Sequence, residues 1–131
     1  MIIGFDKNTP LDFMPAYNNN RKSDKPCIVK LRFVPYSMVQ HYSRILQGRL
    51  KGVTDDMEAG DIGRKLQREQ FLASVISVSG YQMNGEGITD PSIFYDNADT
   101  ELVIEIVRAM ESASKLTAGQ IKNSLPLFAG T

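Results

Sequence analysis

The alternation of apolar and polar side chains is clearest from Cys27 to Val34. Val29, Leu31 and Phe33 fall on one side, and Ile28, Lys30 and Arg32 on the other. That is the two-residue period of a half-buried strand, and Pro35 closes it. A lone strand is unstable in water, so this one needs a partner: the N-terminal stretch, the glycine-bounded segment near Tyr81, or a second chain. The period then changes. With Ser37 as N-cap, Met38, Val39, Tyr42, Ile45, Leu46 and Arg49 recur at helical spacing up to Gly48 and Gly52. After an acidic crossing from Val53 to Gly60, Ile62, Leu66, Leu72, Val75 and Ile76 predict a second helix over Asp61 to Val78, apolar nearly all round from Phe71 onward.

Three glycines between Gly80 and Gly87 predict a loop, since glycine weakens the interior of any element. Asp90-Pro91 is a cap followed by a first-turn proline and opens a short helix through Phe94 and Tyr95. Asp99 or Thr100 caps the next helix, whose Leu102, Val103, Ile106, Val107 and Met110 form an apolar seam. Thr117 and Gln120 match a capping box for a last short helix carrying Ile121 and Leu125, which Pro126 stops. Asp61, Asp90 and Asp99 all read as helix caps. The first 26 residues, with Pro10, Pro15 and three consecutive asparagines, read as an extended arm; Leu11, Phe13, Met14 and Tyr17 are apolar enough to lie on the domain or on a partner. The expectation is a mainly α fold: a small bundle of four to five helices with one short strand, divided into an arm (1–26), a helical domain (27–125) and a C-terminal tail (126–131).

Composition places the chain among ordinary globular domains: 131 residues, 42% hydrophobic and 23% charged, with no apolar run long enough to cross a bilayer. The N-terminus lacks the basic start of a secretory signal, so a cytoplasmic setting is expected. One cysteine and one histidine fall short of the four ligands of a structural zinc site and leave no internal disulfide. Charge is balanced overall but not along the chain: nine Lys and Arg stand against three Asp and Glu up to Thr54, and six against twelve from Asp55 onward. His41 has no second histidine or nucleophile motif beside it, and Cys27 reads as a packing residue at a strand start. Gly85-Glu86-Gly87 lacks the lysine of a phosphate loop. No enzyme and no cofactor are expected. Arg21, Lys22 and Lys25 with Arg44, Arg49 and Lys51 are the only candidates for a nucleic-acid patch, and zero net charge argues against one. The apolar seam, the aromatic arm and Leu127-Phe128 point instead to a binding or assembly protein.

In pattern the chain resembles the phage tail assembly chaperones. The resemblance is carried by Asp12-Phe13-Met14-Pro15 before a polar stretch, by the Ile28 to Val34 strand leading into a helix with Tyr42, and by the apolar Phe71 to Val78 segment entering Gly80. It continues through Gly87-Ile88-Thr89-Asp90-Pro91, Glu101-Leu102-Val103-Ile104-Glu105-Ile106, and Leu116-Thr117 leading to Lys122-Asn123-Ser124. The resemblance implies a predominantly helical protein without catalytic residues that keeps the tape measure protein soluble while tail tube subunits polymerise around it. The implied partners are the tape measure protein, then the tail tube protein and further copies of the chain itself. The family has no fixed binding residues; the helical faces alone nominate Tyr42, Leu102, Ile106 and Phe128. A virion component such as a head-tail joining protein would use the same seam permanently, and a small DNA-binding regulator would show salt-sensitive affinity for DNA.

Overall fold

A computed structural model describes residues 1–2, 9–32 and 34–111. Its centre is a three-stranded antiparallel sheet in the order β1 (Leu11–Phe13), β2 (Ile28–Leu31), β3 (Val75–Ser79). Leu11 pairs with Leu31, Phe13 with Val29, and Val29 in turn with Val78. Those side chains, with Val75, share one face and are almost wholly buried. The opposite face carries the cross-strand pair Asp12 and Lys30, joined by an ion pair of 3.2 Å. The partner that β2 requires is therefore the proline-flanked N-terminal stretch on one edge and β3 on the other.

Helices α1 (Tyr36–Leu50), α2 (Asp56–Ser74), α3 (Pro91–Asn97) and α4 (Thr100–Glu111) complete the fold, with a 3-10 turn over Tyr17–Lys22. The end of α2, with α3 and α4, covers the apolar face of the sheet. Phe71 and Phe94 lie parallel with centroids 6.5 Å apart, Tyr81 meets Phe94 edge-on at 4.9 Å, and Leu102 and Ile106 close the core. Arg68 holds Asp96 through two hydrogen bonds of 3.0 and 2.9 Å, tying α2 to α3.

The fold is mixed α/β, and the expectation of a mainly α bundle is corrected. Among the described residues there are five helices, counting the 3-10 turn, and two small antiparallel sheets. The predicted helix over Asp61 to Val78 is the main source of the difference. It begins earlier, where the Asp55 carboxylate accepts the Met57 N–H at 3.1 Å, and it ends at Ser74, after which the chain becomes β3. Asp61 thus lies inside α2, paired with Arg64, and caps nothing. The predicted loop also contains a second hairpin, β4 (Gln82–Met83) and β5 (Glu86–Gly87), turned by Asn84 and Gly85 with φ of 52° and 81°. Asn-Gly suits the two left-handed positions of such a turn. Asp90 behaves as expected, accepting the Ser92 N–H at 2.8 Å. α1 starts one residue before Ser37, after Pro35, without a side-chain cap. The predicted helix at Thr117, the tail and Phe33 lie outside the described residues.

Gly80 leaves β3 with φ +74°, and a Cβ there would sit 2.4 Å from the Pro26 carbonyl oxygen; Gly52, with φ +79°, faces open space. Gly52→Ala is expected to cost about 1–2 kcal/mol for the left-handed backbone alone. Gly80→Ala adds an overlap with backbone and is expected to cost clearly more. Urea denaturation of the two variants checks this; equal losses would mean that the Pro26–Cys27 segment yields to the added carbon.

Candidate interaction surface

α1 differs from α2, α3 and α4 in what it buries. None of its 15 residues is buried, and it packs chiefly on α2. Tyr42, Ile45, Leu46 and Leu50 are half-covered, whereas Tyr36 is 74%, Val39 51% and Met38 40% exposed. Met57 at the start of α2 is also exposed. Isolated apolar side chains at a surface are ordinary, but Tyr36 and Val39, three residues apart, are neighbours on the helix surface, whereas Met38 lies nearly opposite Tyr36. His41 lies exposed on the same helix, its ring 5.8 Å from that of Tyr42.

The residues nominated from helical faces are distributed differently. Tyr42 is half-covered on α1. Leu102 and Ile106 are interior, at 3% and 0% exposure, because the α4 seam is spent on the sheet and on Phe94. As surface contacts they are corrected: a partner reaches them only if the core opens. Phe128 lies outside the described residues. Sequence reasoning missed Tyr36 and assigned Met38 and Val39 to a buried stripe. The available signal was Tyr36 itself, which a 3.6-residue period places off the stripe of Tyr42, Ile45 and Leu46.

A second concavity, of about 260 Å³, lies between the 3-10 turn and the start of α4, and its lining includes Tyr17, Lys25, Cys27, Tyr81 and Asp99. The Tyr17 and Tyr81 hydroxyls donate to the two oxygens of Asp99 at 2.6 and 3.1 Å. Six residues further, on α4, Glu105 accepts the backbone N–H groups of Ala16 at 2.6 Å and Tyr17 at 3.0 Å. Asn20 completes the clamp: its amide nitrogen donates to the carbonyls of Pro15 and Cys27 and its oxygen accepts the Cys27 N–H at 2.6 Å. The bonds of Tyr17, Asn20 and Glu105 hold the N-terminal segment to α4 and β2, and Tyr81 ties the segment after β3 to Asp99. Burial pushes the Cys27 thiol up to about 11, so it is protonated, and a poor nucleophile, at neutral pH. Another groove, of about 240 Å³, between α2 and α4 is lined by Gln67, Val103, Ile104, Val107, Arg108 and Glu111. Among the described residues no three His, Cys, Asp or Glu side chains converge as metal ligands, and no helix is long and apolar enough to cross a membrane.

Compared with known protein families, with curated proteins and with solved structures, the chain matches none.

The hydrogen bonds from Tyr17 and then Tyr81 hold the Asp99 carboxyl below its usual range. In return the Asp99 hydrogen bond, ahead of burial, raises Tyr17, while burial, ahead of the Asp99 hydrogen bond, raises Tyr81. A depressed carboxyl stabilises the fold above its unfolded value and loses that contribution as pH falls through the folded one. A raised phenol stabilises the fold below its unfolded value and loses it as pH rises toward the folded one. Asp99→Asn is therefore expected to bring two of the five tyrosines down toward ordinary ionisation. Alkaline difference absorbance checks this, and an unchanged titration would show that the carboxylate does not set it.

Proposed function

We propose that the chain is a non-catalytic binding protein of the tail assembly chaperone kind, which holds helical segments of a tape measure protein in the cytoplasm of the host cell and keeps them soluble during tail assembly. The observation that carries the reading is α1: a 15-residue amphipathic helix with no buried residue, exposing Tyr36, Met38 and Val39 beside α2. An apolar helix face laid against a second helix is a recurring mode of peptide recognition, read out by anchors three and four residues apart. The polar groups of the cleft at Asp99 support the same reading, since they are engaged in tethering the chain to itself.

Co-expression with a tape measure fragment that is insoluble alone tests the proposal, followed by size exclusion with light scattering. The expected result is a soluble, co-eluting complex; continued precipitation of the fragment beside a free, folded chain would overturn the reading and favour a structural virion role. Tyr36→Ser combined with Val39→Ser is expected to abolish co-elution while shifting the urea midpoint little, because both side chains are exposed. Leu102→Ala, by contrast, is expected to cost about 2–5 kcal/mol of stability, as core truncations do. If Leu102→Ala removed binding without loss of stability, the surface would have to be moved to α4.

A further inference from the structure

The groove between α2 and α4 has a floor that the core leaves partly open. On α4, Leu102 and Ile106 are turned to the sheet, whereas Val103, Val107 and Glu111 follow one another at steps of four along the neighbouring row. Ile104 and Arg108 form the row beyond it. Gln67 closes the groove from α2, its side-chain oxygen accepting the Tyr95 hydroxyl at 3.3 Å. Val103 and Ile104 are half-buried, so apolar surface is accessible from the mouth of the groove.

The sequence continues for 20 residues past Glu111, which is itself a wall of the groove. The chain therefore leaves α4 at the end of the groove. Those residues lie outside the described ones, and their sequence has the pattern of a short amphipathic helix. Thr117 and Gln120 have the spacing of a capping box, and Leu116 and Ile121 stand at the two positions of a hydrophobic staple, just before the cap and four residues after it. Leu125 continues the apolar line one turn past Ile121, and Pro126 stops the helix. A helix from Ala118 to Leu125 spans about 12 Å, the same length as the α4 row from Val103 to Glu111. Residues 112–116 supply a connection of the usual length between antiparallel neighbouring helices.

Charge favours the same match. Residues 112–131 contain Lys115 and Lys122 and no carboxylate side chain, whereas residues 55–111 contain twelve Asp and Glu against four Lys and Arg. A segment tethered beside the groove also meets it at high effective concentration, without the entropy loss of joining two molecules.

We infer that residues 116–125 fold back antiparallel to α4 and lay Leu116, Ile121 and Leu125 into the α2–α4 groove, on Val103, Ile104 and Val107. The chain covers this apolar surface itself and leaves it to no partner. The inference does not depend on the binding role proposed for α1.

Paramagnetic broadening in the full chain tests it. A nitroxide is attached at Ser124→Cys in a Cys27→Ala background, and the amide signals of isotope-labelled protein are compared before and after reduction of the nitroxide. Strong broadening is expected at Gln67, Val103, Ile104 and Arg108, with Asp12 and Lys30 on the far face of the sheet little affected. Adding Ile121→Ser and Leu125→Ser is expected to abolish it. Broadening that is absent, uniform along the chain, or indifferent to those two substitutions would overturn the inference. In a mixture where the nitroxide and the isotope are on different chains, no broadening is expected; if it appears there, the groove holds the segment of a second copy and the intramolecular assignment is overturned. A second reading needs no nitroxide. Ile121→Ser with Leu125→Ser in the otherwise unaltered chain is expected to move the amide shifts of Gln67, Val103 and Ile104, and changes confined to residues 112–131 would also overturn the inference.

Discussion

Among the described residues strand β2 is the only one paired along both edges, and the burial of Val29 and Leu31 on its inner face fixes where the elements around it lie. A strand in that position must draw its two neighbours from distant parts of the chain: β1 from before Pro15 and β3 from after α2. Once those pairings are made, Leu11, Phe13, Val75 and Val78 form one continuous apolar floor, and the helices that follow β3 have a surface to cover. Phe71, Phe94 and Ile106 reach it from three helices, which is why α4 has no apolar seam to spare for a partner.

The parts of this arrangement that follow from local rules were legible beforehand. Asp90-Pro91 opens α3, the alternation around Val29 gives β2, and the Leu102, Ile106 and Val107 spacing gives α4 and its apolar seam, though not that the seam is buried. The end of α2 was not legible, for a reason visible in the register. Lys30 pairs with Ser77 and Leu31 with Val75, so Ile76 is an extra residue that bulges from the ladder and faces outward. The bulge leaves Phe71, Val75 and Val78 pointing into one core at steps of four and three, the spacing of a helix stripe. A strand with a bulge therefore imitates a helix in sequence, and only pairing with β2 decides between them. β1 was hidden differently. Three residues between prolines are too few to show a period, and their strand state is imposed from outside by Leu31 and Val29.

The candidate surface was less legible than the fold. Helical spacing identifies apolar faces but not which of them the tertiary structure consumes, and Leu102 and Tyr36 exchange roles once the sheet is in place. Two carboxylates, Asp99 just before α4 and Glu105 within it, show the same dependence on context. Asp99 stands at the start of the helix, its carbonyl accepting the Val103 N–H at 3.0 Å, while its side chain turns to two tyrosines. Glu105, spaced as an ordinary solvated residue, caps the backbone of Ala16 and Tyr17 instead. Together they convert an asparagine-rich segment, with Asn18 and Asn19 both at positive φ, into a defined strap across the end of the fold.

Because α1 contributes no buried residue and leans chiefly on α2, its exposed positions are separate from the residues that hold the sheet and its covering helices together. Substitutions along the outer row of α1 leave the sheet and its covering helices untouched. Such a helix is free to drift in sequence at little cost to foldability. The same core can thus carry many versions of this one helix.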